Sequence, residues 1–243
     1  MEFIKVKTRR FLPPQDDLYD LLAKLPRLKN KDVLVITSKV VSIHQGRCVK
    51  RNRDDNKKAL ATKEAEYIFS GKSFFENNIL TITDNTLAYS AGIDESNGNG
   101  YFVLRPNNLH KTAKEIWQYL KNKNKINKLG ILIIDSISEP LRCGAIGKTI
   151  GFFGLKPIKY YQGKPDIFGR KMKCERTNQL DAIASMAMSL MGEAKERVPM
   201  IIARDIPFVQ FTDKKLQSKF FVDIKKDIYG GLFKNFIKNK QSK

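Results

Sequence analysis

The stretch "RCGAIGKTIGFFG", residues 142–154, decides how the chain is read. It ends a glycine-rich run in Gly147-Lys148-Thr149, which resembles the tail of a phosphate-cradling P-loop. Such a loop needs G-x-x-x-x-G-K-[ST], with the first glycine five positions before the second. Counting back from Gly147 reaches Arg142, and the nearer Gly144 leaves two residues too few to wrap phosphates with backbone N–H groups. The following "TIGFFGL" is also a poor start for a P-loop helix. Glycines at 144, 147, 151 and 154 point instead to a twisted strand-and-turn region in which backbone approaches backbone or ligand closely. Arg142 and Lys148 stay open as phosphate or carboxylate clamps or as surface cations.

Outward from this run, strands and helices alternate. "DVLVITSKVVSI" (32–43) reads as a strand, or as a strand pair broken near Ser38-Lys39. "NKKALATKEAEYIFS" (56–70) and "NLHKTAKEIWQYLKNK" (108–123) have helical spacing, the latter with Leu109, Ile116, Trp117 and Leu120 on one face. "LGILIID" (129–135) is a short buried strand ending in an acid. "TNQLDAIASMAMSLMGE" (177–193) predicts a deeply buried helix capped by Thr177 and stopped by Gly192, with Met186, Met188 and Met191 as core filler. "VPMIIARDIPFVQF" adds a further strand, so the expected architecture is α+β, mixed sheets with packed helices.

The chain has 243 residues and can bury an ample core without staples. No run approaches eighteen apolar residues, and no apolar segment follows the basic start "MEFIKVKTRR", so we expect a cytoplasmic protein with no membrane partner. The three cysteines, Cys48, Cys143 and Cys174, form no C-x-x-C pair and predict neither disulfides nor zinc. The net charge of +20 gathers in "KRNRDDNKK" (50–58), "KNKNKINK" (121–128) and "FKNFIKNKQSK" (233–243). These are lysines interleaved with asparagine, without arginine/aromatic clustering. A solvated surface therefore outweighs nucleic-acid binding. We divide the chain into a domain over 1–230 and a basic C-terminal tail over 231–243.

Acids at the ends of elements are the better chemical candidates, because hard divalent cations take oxygen ligands. Asp94 lies in the loop "SAGIDESNG" with Asn97 three residues on; Asp135, with Ser136, ends a strand; Glu193 follows the long helix. Each alone also fits a turn, a cap or an exposed acid. His44, in "SIHQGR", fits equally a general base or a hydrogen-bonded structural residue.

Six segments sharpen this reading when taken in order: "ITSKVVSIHQGR" (36–47), "SAGIDESN" (90–97), "ILIIDS" (131–136), "LRCGAIGKTIGFFGLKPI" (141–158), "GKPDIFGR" (163–170) and "DAIASMAMSLMGEAKERVP" (181–199). Together they resemble the γ-glutamyl ligase family that adds glutamate to the deazaflavin coenzyme F-420, from about Phe11 onward. The resemblance implies an intertwined α+β homodimer that joins L-glutamate to a carboxylated acceptor through an acyl phosphate. It implies GTP or ATP as co-substrate, Mg²⁺ or Mn²⁺ as two bound ions, and often a monovalent cation such as K⁺. Metal-holding positions of the family fall on Asp94, Asp135, Ser136 and Glu193. Nucleotide contacts fall on Phe11, Leu12, Pro13 and Pro14, on Ser38 and Lys39, on Asn97, and on Met191, Gly192, Glu193, Ala194, Lys195, Glu196, Arg197 and Val198. Asp94, Asp135 and Lys39 would carry catalysis. Two departures stand out: Ile43 where the family carries a lysine, and "SISEPLRCG" after Asp135. "TSKVVSIHQGR", "PLR" and "DIFGR" are closer to a bacterial branch described as folate-metabolism γ-glutamate ligases, so the acceptor stays open between folate-like and deazaflavin-like. A basic nucleic-acid-binding protein on an inactive scaffold, or another phosphoryl-transfer enzyme, are the alternatives.

Overall fold

In a computed structural model, residues 1–52, 56–71 and 78–240 are described. The elements run β1 (Glu2–Val6), α1 (Leu18–Ala23), β2 (Asp32–Thr37), α2 (Ser38–His44), β3 (Cys48–Lys50), α3 (Lys57–Glu64), β4 (Tyr67–Phe69), β5 (Leu80–Thr83), β6 (Thr86–Tyr89) and β7 (Tyr101–Val103). They continue with α4 (Leu109–Asn124), β8 (Leu129–Ser138), β9 (Ala145–Phe153), β10 (Ile158–Tyr160), β11 (Arg176–Asn178), α5 (Gln179–Met191), β12 (Met200–Arg204) and β13 (Phe236–Lys238). The architecture is mixed α+β.

The spine is a five-stranded sheet ordered β1-β12-β2-β8-β9, in which β2 and β8 are parallel and the other pairs antiparallel. Helices cover both of its faces, which is why β2, β8 and β12 read as continuous apolar runs rather than alternating ones. The period of two survives in the packing. Leu34, Ile36, Ile131, Ile133 and Ile202 face α1 and α4, whereas Val33, Val35, Leu132, Ile134 and Ile201 face α5. A second, antiparallel sheet, β13-β4-β5-β6, and the pairs β3-β7 and β10-β11 complete the fold. The basic tail thus contributes β13, which pairs with β4. Residues 53–55 and 241–243 of the basic runs lie outside the described residues.

The glycine run forms the turn into β9 and β9 itself. A Cβ on Gly147 would come within 2.2 Å of the Ala184 carbonyl on α5, and one on Gly151 within 2.9 Å of Leu109 on α4. The two glycines share parity yet face opposite layers, because the β8–β9 register shifts by one residue between Ile133 and Ile134. A bulge of this kind turns the side chains beyond it to the other face. The close approaches are therefore between backbones.

Several expectations need correction. Val40-Val41-Ser42-Ile43 is helical, not a second strand; α2 buries Val40, Val41 and Ile43, and that tertiary burial overrides the β preference of branched residues. The helix expected over 56–70 stops at Glu64, and Tyr67–Phe69 joins the second sheet. Thr177 belongs to β11; the cap of α5 is Asn178, whose side-chain oxygen accepts from the Asp181 N–H. The helix buries one face only, with Leu180, Ile183, Ala184, Ala187 and Met191 inside while Met186 is exposed. Gly192 does end it, at φ 75° and ψ 168°.

Candidate active site

The parallel pair β2/β8 ends at one edge of the sheet, with Thr37 beside Ile134, and the following residues deliver the chemistry there. Ligands favour the carboxyl ends of parallel strands, where side chains emerge from a rigid frame. Ser38 opens α2 and Asp135 continues β8. The Ser38 hydroxyl donates to Asp135 Oδ1 at 3.1 Å, and the Ser136 N–H donates to the same oxygen at 3.1 Å.

The "SAGID" loop reaches this edge from the second sheet. Ser90, Ala91 and Gly92 all have positive φ, a tight coil that turns the chain into Asp94. There Asp94 pairs with Val103 through two backbone hydrogen bonds of 2.9 Å. Its carboxylate accepts from the Ser96 N–H and hydroxyl, both at 2.8 Å, and lies 2.6 Å from the Lys39 ammonium. Lys39 also donates to the Ser96 carbonyl. The third wall follows α5. The Asn97 side-chain amide donates to the Ala194 carbonyl at 3.1 Å, and Thr8 N–H to the Arg197 carbonyl at 2.9 Å, so segments far apart in the chain are clasped together.

Between these walls lies a cavity of about 710 Å³. It is lined by Asp94, Asp135, Ser136, Glu193, Lys39 and Asn97, by Phe11, Leu12 and Pro13, and by the whole of Met191–Val198. Ser38 and Pro14 do not line it; Ser38 acts one step back, through Asp135. His44 does not line it either. Its Nδ1 accepts from the Leu18 N–H at 3.2 Å and its ring meets Tyr19 edge-on, which makes it a strut between α1 and α2. Arg142 is exposed on the β8–β9 turn, and Lys148 pairs with Glu139 and Asp181.

The three acids differ electrostatically. Burial raises the Asp94 carboxyl, but Lys39 and the Ser96 hydrogen bonds outweigh it and hold the group below the usual range. Burial dominates at Asp135 and lifts it despite Arg105 and Ser38, with Asp94 adding repulsion. Burial likewise lifts Glu193, partly offset by Lys39 and a hydrogen bond from Ser136, while Asp94 and Asp135 push the same way as burial. The acids thus sense one another across the cavity. Among the described residues, however, no three Asp, Glu, His or Cys side chains form a closed ligand cluster. What converges is an open, all-oxygen set with an ammonium on one member, a donor chemistry that fits hard divalent cations rather than zinc.

The sequence reading missed several residues here. Arg9 and Arg10 line the cavity just before the "FLPP" segment. Ile43 also lines it while remaining buried, which gives the wall an apolar patch. Arg105 lies behind Asp135, its Nη2 3.5 Å from Oδ2. A lone arginine closing the apolar run "YFVLR" was the signal available for it.

Comparison with known proteins gives one answer. A protein-family model described as "F420-0:Gamma-glutamyl ligase" matches residues 8–205. The coenzyme F420:L-glutamate ligase of Methanocaldococcus jannaschii is 30% identical over 219 residues, 80% of this chain and 84% of that protein. Its namesakes in Methanococcus maripaludis and Methanopyrus kandleri are 30% and 29% identical, covering 85% and 83% of this chain and 89% and 85% of theirs. With the family model matched over residues 8–205 and relatives at about 30% identity over most of the chain, the chain belongs to the F420-0:gamma-glutamyl ligase family.

Proposed function

We propose that this protein is a nucleoside-triphosphate-dependent ligase that forms an amide between L-glutamate and a carboxylated small molecule. A carboxylate acylates poorly, so amide synthesis needs it first converted to an acyl phosphate; the γ-phosphoryl group must meet the acceptor oxygen in line, and the glutamate amine then displaces phosphate. The observation that carries this reading is the meeting of Asp94, Asp135, Ser136 and Glu193 with Lys39 around one cavity, in a chain of this family.

In this reading Asp94, Asp135 and Glu193, with Ser136 as a neutral oxygen, would hold Mg²⁺ or Mn²⁺. Bound there, such ions neutralise phosphate charge and align the attacking and leaving oxygens. The remaining roles fall to the protein. Lys39 sets a positive charge at the phosphate end, and the "FLPP" and "MGEAKERV" segments enclose the nucleotide between two walls joined by the Asn97–Ala194 and Thr8–Arg197 hydrogen bonds. The buried Ile43 offers an apolar contact where the family lysine would offer a cation, so ATP and GTP both enter the proposal. The acceptor is deazaflavin-like or folate-like, with a monovalent cation such as K⁺ as a further cofactor.

We also propose a homodimer. The arm β10–β11 stands away from the core with Ile167 91% and Phe168 88% exposed, and an isolated hairpin is marginal in water unless something covers it. A second copy would do so, which sedimentation would show as twice the chain mass.

The direct test supplies GTP or ATP, Mg²⁺ or Mn²⁺, L-glutamate and a panel of deazaflavin-like and folate-like carboxylates. Nucleoside diphosphate release that requires both glutamate and an acceptor, with a product heavier by one glutamyl unit, supports the ligase. Absence of glutamate-dependent turnover across the panel would sink it.

A further inference from the structure

Arg105 is 5% exposed, and two of its nitrogens, Nε and Nη2, are buried without a hydrogen-bond partner among the described residues. Leaving such donors unmet is costly, so in a folded core they need a reason. The third nitrogen is firmly held: Nη1 donates to the Thr83 carbonyl at the end of β5, at 2.7 Å. From that anchor the guanidinium reaches across to Asp135, Nη2 to Oδ2 at 3.5 Å, with Asp84 4.0 Å from Nη1 on the other side. It also runs beneath the "SAGID" loop. A Cβ on Gly92 would stand 2.6 Å from Arg105 Nε, and Gly92 has φ 71°. The glycine before Ile93-Asp94 is therefore required twice, for its backbone conformation and for the room the arginine takes.

These contacts place one rigid, planar cation between Asp135 and the glycine turn that leads into Asp94. Asp135 Oδ1 is held by Ser38 and Ser136, so Oδ2 and the carboxylate plane are left for Arg105 to orient. The loop carrying Asp94 rests on the same side chain. We propose that Arg105 is a positioning residue for the ligase reaction: anchored on Thr83, it fixes the Asp135 carboxylate towards the cavity and backs the Gly92–Asp94 turn, so that both acids keep their spacing. The proposal rests on the ligase reading above.

The test compares Arg105→Met, which keeps bulk, and Arg105→Lys, which keeps charge but has no fork to span Thr83 and Asp135. Each is read by urea unfolding, by Mn²⁺ affinity from the electron paramagnetic resonance of free Mn²⁺, and by kcat and KM for the nucleotide. Misplacement of a reacting group by about 1 Å costs roughly 100-fold in rate. We therefore expect kcat to fall by about that factor in both variants with KM changed less than about threefold, and Mn²⁺ to bind several-fold more weakly. Recovery of wild-type kcat by Arg105→Lys would overturn the proposal, since charge alone would then suffice. Unchanged or tighter Mn²⁺ binding in Arg105→Met would overturn it as well, because a mere competing cation had been removed. If the Met variant does not fold, the Lys variant decides: low kcat with native unfolding behaviour supports positioning. A wild-type protein that neither binds Mn²⁺ nor turns over counts against the ligase reading instead.

Discussion

Asp32 and Asp135 sit on neighbouring parallel strands, at opposite ends, and each faces an arginine. Asp32, fully buried at the start of β2, takes both arms of Arg204 at 2.8 Å and the Lys29 N–H at 2.7 Å. Asp135, just past the carboxyl end of the β2/β8 pairing, has an arginine at 3.5 Å that makes no hydrogen bond to it, and its side chain is 21% exposed to the cavity. The first pair is closed, with every strong partner supplied from within the fold. The second is open, and its unmet donors and raised carboxyl show an interaction left incomplete. The same two residue types thus build a strut at one end of the sheet and the wall of an open cavity at the other; what separates them is satisfaction of hydrogen bonds, not residue identity.

If that contrast is right, Asp135→Ala should hit activity hardest: glutamate-dependent turnover falls by about 10³-fold or more. Its unfolding midpoint in urea should change less than at the closed end, because burial already disfavours this charge and Arg105 keeps the Thr83 carbonyl and Asp84. The opposite pattern is expected at the closed end. Asp32→Ala leaves the partly buried Arg204 with only Glu2 at 3.9 Å and the Lys29 N–H without its acceptor, and should destabilise by about 3 kcal/mol in urea unfolding, with residual folded protein keeping its kcat. A finer probe is Arg204→Lys, which keeps charge but loses the fork; a loss of about 2 kcal/mol is expected by the same measurement.

The smallest effect belongs to a third, surface pair. Arg9 binds Asp16, which also accepts from the Leu12 and Asp17 N–H groups, and this holds the Asp16 carboxyl at about 2, chiefly through the Arg9 hydrogen bond. Arg9 is 41% exposed, so solvent screening limits the pair to about 1 kcal/mol at most. The folded value lies below the unfolded one near 3.8. The contribution is therefore fully present above about pH 4 and disappears as pH falls through about 2. Asp16→Asn should be less stable than wild type at pH 6, with the gap narrowing as pH falls through about 2 and closed only below it; a difference that does not shrink on the way down would show that charge is not its source.

Much of the frame was legible because its residues carry local signals. α4 reads from Leu109, Ile116, Trp117 and Leu120, and β8 from a short apolar run. The acids of the cavity were legible as well, since each lies in a motif of distinctive letters, although β8 runs on past Asp135 to Ser138 rather than ending at the acid. α2 was not, because Val40, Val41 and Ile43 favour strands locally and only their burial against β2 and α1 makes a helix the better solution. Arg105 was equally hidden, for a buried arginine differs from a surface one only by what surrounds it.

The helix α4, the core of β8, the helix α5 and the spacing that rules out a P-loop at 142–154 follow from sequence, as does the choice of candidate acids, because hydrophobic period, glycine spacing and motif order are local properties of the chain. That Asp94, Asp135 and Glu193 line one cavity, that Arg204 closes its pair while Arg105 leaves its own open, and that Gly92 makes room for a guanidinium were decided by tertiary structure. Those relations join residues some 10 to 170 positions apart, and only packing sets such distances.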